Sequence, residues 1–197
     1  MDELALSPGI GFHGIAIAQK DADFAIPFLD EDIALYIDPF LLWKSPALQD
    51  QSLHTAVVNS FNHLGVLTVS GRQEEAVGIL TRASECPEIG LGHSKSRQGH
   101  RIGEATAQNI LRLFLAHPLA RVRGFVHFEE IQFYVEGIGP DRISDITATF
   151  VKSFLIDYTI DQCSKLGISG HRVGTQCARE RAGVQKLSGG AAVLGLT

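Results

Sequence analysis

A helix-dominated α/β or α+β domain with a small sheet is the fold class that this sequence predicts. Three observations lead there. Apolar residues make up 45% of the 197 positions and charged residues 20%, the balance of an ordinary globular chain. Several windows place apolar residues at helical steps of three and four. Between them lie short β-branched and aromatic segments that suit a few strands. One domain over residues 1–170 is expected, followed by a basic Gly/Ala-rich tail over 171–197.

The elements follow in chain order. Ile15-Ala-Ile-Ala, after a Gly-rich start, is a candidate strand. Phe24-Ala-Ile-Pro-Phe is demoted to an edge strand or loop by Pro27. Ile33-Ala-Leu-Tyr-Ile predicts a strand over 33–37, with Asp38 at its C-terminal end. Residues 47–64 predict a helix, with Leu53, Val57, Phe61 and Leu64 in its stripe and Gly65 as a stop. A second helix is expected over 72–84, with Ala76, Val77, Leu80 and Ala83 on one face. A third should begin after Gly103, carry Ala107, Ile110, Leu111, Phe114 and Leu115, and end at Pro118. Residues 125–138 fit a helix and a strand about equally; a helical start over Phe125–Glu130 and a strand over 131–136 are the expectation. One long helix is expected over 144–166, with Ser144 as N-cap and Gly167 as stop. The tail holds no aromatic residue and one acid, so it can build little core.

Charge and cysteine usage narrow the classes. Seventeen Lys and Arg stand against 22 Asp and Glu, for a net charge of −5. That excludes a wholly basic coat and leaves room for a local basic patch. Three cysteines with no Cys-x-x-Cys spacing suit a reducing, cytoplasmic setting. The start, Met1-Asp-Glu-Leu, lacks the basic region of a signal peptide. No apolar run approaches the roughly 20 residues that span a bilayer, so no membrane role is expected.

Two constellations can carry chemistry. The first is the loop 89–103, with Gly90, Gly92, Lys95, Arg97 and Arg101 ahead of a helix start. Glycines open the backbone N–H groups to an oxyanion, and the cations add charge-assisted bonds to phosphate. Its spacing matches neither a P-loop nor a dinucleotide fingerprint, and a plain surface loop is the simpler account. His93 and His100 flank it, and His100 is the candidate acid or base. The second constellation is Asp141-Arg142-Ile143-Ser144-Asp145. Asp141 and Asp145, joined by Asp38, could share one Mg²⁺ or Mn²⁺, since hard cations take carboxylate oxygens. Capping the helix is the simpler role for these aspartates. Eight histidines are present, with no His-Glu-x-x-His and no zinc spacing. Glu129-Glu130 point apart if helical, so at least one is expected to be solvated.

The run from Gly137-Ile-Gly-Pro-Asp-Arg-Ile-Ser-Asp-Ile-Thr through Phe154-Leu-Ile-Asp-Tyr-Thr to Gln162-Cys163 resembles a group of bacterial proteins associated with restriction and phage-defence gene neighbourhoods. Asp38-Pro39-Phe40-Leu41 and Gly90-Leu-Gly-His-Ser belong to the same pattern, which covers about residues 30–168. No activity is established for that group, so the resemblance carries over no catalytic role. The tail departs from the pattern, as expected if this copy is truncated or read out of frame after about residue 172.

These readings converge on a Mg²⁺- or Mn²⁺-dependent phosphodiesterase acting on nucleic acid in a defence context. Lys95, Arg97 and Arg101 would hold phosphate, and Asp141 and Asp145 would hold the metal with Asp38. The alternative is a non-enzymatic subunit that binds nucleic acid or a protein partner.

Overall fold

The computed structural model describes residues 22–25, 32–84, 91–92 and 102–166. These residues form helices and connecting segments, and no β-strand or sheet occurs among them. The expected small sheet is therefore corrected. Segment 33–37 pairs at one residue only, in an isolated parallel bridge between Ile33 and Leu91, and then bends, the Leu35 N–H donating to the Ile33 carbonyl at 2.6 Å. Segment 131–136 begins inside a 3₁₀ helix, Phe128–Phe133. There Phe128, Ile131 and Val135 are buried while Phe133 and Tyr134 are exposed. Steps of three and four win over alternation, because the buried side chains must all reach one core. The candidate strand at 15–18 and the tail at 171–197 lie outside the described residues.

Two compact units make up the chain. One comprises Tyr36–Cys86 and Gly99–Val151 and holds six of the described α-helices: α1 (Pro39–Lys44), α2 (Leu48–Val69), α3 (Gln73–Ala83), α4 (Glu104–Ala116), α5 (Pro118–Arg123) and α6 (Pro140–Phe150). The other comprises Met1–Leu35, Pro87–Gln98 and Lys152–Thr197 and holds α7 (Lys152–Lys165). Within this second unit the Gly92 N–H donates to the Ile33 carbonyl at 2.9 Å. The Tyr158 hydroxyl donates to the Asp23 carbonyl at 3.1 Å. Cys163 of α7 is free, and burial pushes its thiol pKa up, which makes it a poor nucleophile.

Local sequence explains most helix boundaries in the larger unit. Asp38 caps α1 by accepting the Phe40 N–H at 2.9 Å, and Pro39 fills the first turn, where no N–H is needed. Helix α3 buries Ala76, Val77, Leu80 and Ala83, the four positions its periodicity names. Pro118 ends α4 and opens α5, which stops at Gly124 in a left-handed conformation of φ +74°.

Two boundaries differ from expectation. Helix α2 runs through Gly65 and stops at Ser70-Gly71. Gly65 is buried against the Phe114 ring, and a Cβ there would overlap it. The glycine serves close approach of α2 to α4 rather than termination. Gly65→Val is expected to lower stability by about 2–3 kcal/mol through overpacking, read as a reduced urea midpoint at unchanged slope. The long helix expected over 144–166 is two helices, α6 and α7, separated at Val151. Ser144 consequently sits inside α6, where Gly139 is the cap residue, and its Oγ accepts the Ile37 N–H at 2.9 Å.

The core of this unit is an aromatic cluster. Phe61 of α2 meets Phe114, Phe125 and Phe128 at ring-centroid distances of 5.1, 5.6 and 4.9 Å. Phe114 and Phe125 meet edge to face at 5.1 Å. Tilted and edge-on pairs of this kind add roughly 0.5–1.5 kcal/mol each beyond burial. Phe125 and Phe128 are thus anchored on both sides of His127.

Candidate metal centre

The stripe of α2 that faces the core runs His54, Val57, Phe61, Leu64 and Thr68, all buried. His54 thus occupies a position that helical spacing assigns to an apolar side chain. The segment after Gly124 brings His127 and Glu129 to the same place. Asn62 of α2 fixes that segment by pairing with both backbone groups of Phe125. Its Nδ2 donates to the Phe125 carbonyl at 2.9 Å, and its Oδ1 accepts the Phe125 N–H at 2.8 Å. Anchored by Asn62 and by the two core phenylalanines, the chain turns His127 and Glu129 inward.

Each of His54, His127 and Glu129 offers one ligand atom, and these atoms lie within 4.8 Å of one another. Four of their polar atoms are buried and make no hydrogen bond: His54 Nε2, His127 Nδ1 and both Glu129 carboxylate oxygens. His127 Nδ1 and Glu129 Oε1 approach to 3.3 Å without hydrogen-bond alignment. Buried polar atoms are normally satisfied, so four that converge without partners call for a ligand. Metal bonds of about 2.0–2.1 Å to nitrogen and oxygen would set tetrahedral ligands about 3.3–3.4 Å apart, which the His127–Glu129 separation matches. The chain therefore carries a buried His/His/Glu cluster able to coordinate a metal ion.

Electrostatics agree. Burial raises the Glu129 pKa, and the charges of Asp38 and Glu130 push it further up, while its own nearby backbone N–H and His127 pull it down. Burial lowers the His54 pKa, and His127 adds to that. His54 is thus held neutral, the form that ligates a metal. A divalent cation would favour the ionised Glu129 and satisfy both imidazoles at once.

The residues singled out from sequence are placed as follows. Asp38 caps α1, and its carboxylate is close enough to act on Glu129. Asp141 is exposed in the first turn of α6, and Asp145 lies one turn on. Both push the Tyr36 phenol pKa up, after the larger effect of burial, so the segment before α1 runs beside the start of α6. Among the described residues, Asp38, Asp141 and Asp145 are not gathered into a group with ligand spacing. Gly92 is buried, with φ +133°. Gly90, Lys95, Arg97, His100 and Arg101 lie outside the described residues.

His54, His127 and Glu129 are not among the candidate residues that spacing singles out. Two signals pointed to them. A histidine stood in the apolar stripe of α2, and His127-x-Glu129 followed immediately on a buried phenylalanine pattern. Two imidazoles and one carboxylate can take a divalent metal and do not single out the expected Mg²⁺ or Mn²⁺, which an all-oxygen site would suit better. No helix among the described residues is long and apolar enough to cross a membrane.

No curated protein and no solved structure matches the chain. A family model described as a domain of unknown function matches residues 14–182, and the chain belongs to that family, DUF8370.

Proposed function

We propose that this protein is a metal-dependent hydrolase of phosphodiesters, with one divalent cation held by His54, His127 and Glu129. The observation that carries it is the convergence of four buried, unpartnered ligand-type atoms from α2, the 3₁₀ helix and its cap residue His127. His54, His127 and Glu129 would hold the cation, and, as in catalytic zinc sites with three protein ligands, the bound cation would supply an acidified water and polarise a phosphoryl oxygen, so that hydrolysis would exchange the ester P–O bond for one to the water oxygen, with the water's proton going to the leaving alcohol.

The test compares chelator-treated and Zn²⁺-loaded protein on bis(p-nitrophenyl) phosphate. Turnover is expected only in the loaded protein, and His54→Ala and His127→Ala are each expected to bring it to background. Turnover that survives both substitutions would remove the proposal. A second reading is supported by the burial of His54 and by ligands drawn from two elements. The ion then serves as a staple joining α2 to the 3₁₀ helix, and loading raises the melting temperature without turnover.

A further inference from the structure

Helix α1 presents Phe40, Trp43 and Lys44 on one face, at helical steps of three and four. Both rings lie against the candidate metal centre. Trp43 meets the His127 ring edge-on at 4.8 Å, and Phe40 meets it at 5.9 Å. The two rings meet each other at 5.4 Å. Yet Phe40 remains 39% exposed and Trp43 42% exposed. Lys44 Nζ sits over both, 5.5 Å from the Phe40 centroid and 5.0 Å from that of Trp43. The two rings thus cover one side of the His127 imidazole and keep a solvent-facing part under a cation.

We propose that this ledge binds a nucleotide unit, with the base stacked on Trp43 and Phe40 and the phosphate drawn toward Lys44 and the metal centre. The inference rests on the metal reading above and names its substrate class. Charge complementarity selects the occupant. An apolar ligand would leave the Lys44 charge without an anionic partner, and a simple phosphate would leave the solvent-facing part of the rings uncovered. A base joined to a phosphate uses both. Stacking on aromatic side chains tolerates any base, because every base has a π-face. Lysine supplies a point charge for phosphate. Asp38 and Glu130 are the opposing charges nearby, acting on Glu129. A divalent cation at the cluster outweighs them locally.

Trp43 is the chain's single tryptophan, so its emission reports the ledge directly. Full-length protein, chelator-treated or Zn²⁺-loaded, is titrated with AMP, adenosine, ribose 5-phosphate and an oligothymidylate. Saturable quenching by AMP is expected, strongest in the loaded protein, with none by ribose 5-phosphate. Lys44→Gln, at an exposed position, should weaken AMP about fivefold or more and adenosine much less. Trp43→Ala, followed by calorimetry, should weaken AMP about tenfold. An oligothymidylate that binds about tenfold tighter than AMP assigns the site to strands, and equal affinity assigns it to mononucleotides. Absence of AMP quenching in both metal states, or an unchanged affinity in Lys44→Gln, overturns the ledge. Zn²⁺ calorimetry on wild type and His54→Ala is run alongside. Failure there with AMP quenching intact would count against the metal centre and leave the ledge standing.

Discussion

Glu129→Gln is expected to make the metal-free protein more stable than wild type and the Zn²⁺-loaded protein less stable. The Glu129 carboxylate is buried, both its oxygens lack hydrogen bonds, and burial raises its pKa. Without a cation, a charge in that place opposes folding. Glutamine keeps the shape and removes the charge, and a gain of at least about 1 kcal/mol follows in chelator. With Zn²⁺ the order inverts. Free metal at about a hundred times its dissociation constant stabilises wild type by about 2.7 kcal/mol. A neutral amide is a poor replacement for a carboxylate ligand, so the variant forgoes most of that.

The pH dependence in chelator has a defined sign. Glu129 has a folded pKa above its ordinary value, so the stability carried by its neutral form is full in acid and is lost as pH rises through the raised value. The variant has no such loss, and its advantage over wild type grows between about pH 5 and pH 8. His54, with a lowered pKa, contributes in the opposite direction. Its term is full above the ordinary histidine value and is lost as pH falls through the lowered one. His54 is present in both proteins, so its term cancels in their difference to first order. Thermal melts in chelator and in Zn²⁺, at the two pH values, give all four corners. A variant less stable than wild type in chelator would mean that Glu129 serves as a structural acceptor and not as a metal ligand.

The legibility of this chain follows the range of the interactions involved. Helix α3 was readable almost to the residue, because Ala76, Val77, Leu80 and Ala83 repeat at helical spacing and nothing distant overrides them. Gly65 resembles a stop in the sequence, which does not show that Phe114, contributed by a different helix, packs against its bare Cα. Segment 131–136 looked like a strand because Ile131-Gln-Phe-Tyr-Val alternates and is β-prone. Burial of Phe128, Ile131 and Val135 in one core decided otherwise. Ser144 looked like a cap by its position before an apolar run. It is a buried acceptor for Ile37, a partner that only tertiary packing supplies. The candidate centre was hidden for the same reason. His54 and the His127/Glu129 pair are far apart in sequence and share no spacing rule, and the acidic cluster at 141–145 drew attention by density alone.

Asn62→Ala is expected to damage both the fold and the centre. The Asn62 amide replaces a β-pair for one residue, exchanging two hydrogen bonds with Phe125 at 2.8 and 2.9 Å. That exchange couples α2, which carries His54, to the segment that carries His127 and Glu129. Removing it leaves two half-buried backbone groups with water as their remaining recourse, at a cost of about 2–3 kcal/mol in a denaturant titration. A substitution that only destabilised would lower the melting temperature and leave Zn²⁺ affinity in the folded state alone. Asn62 acts as a positioning residue, so affinity should fall as well, by about 10–100-fold as for outer-shell partners of metal ligands. Asn62→Asp should not restore it. The carboxylate can accept the Phe125 N–H but sets a negative oxygen against the Phe125 carbonyl. Gly124→Ala probes the same linkage from the other side. Gly124 has φ +74°, and a Cβ there would run into the Asn62 amide. The strain and the collision both act on the hinge of the ligand-bearing segment. Calorimetry with Zn²⁺ on the two variants decides the matter. Parallel losses of affinity place the alignment of the centre in the Asn62–Phe125 pair, whereas intact affinity in both would mean that the phenylalanine core alone holds His127 and Glu129 against His54.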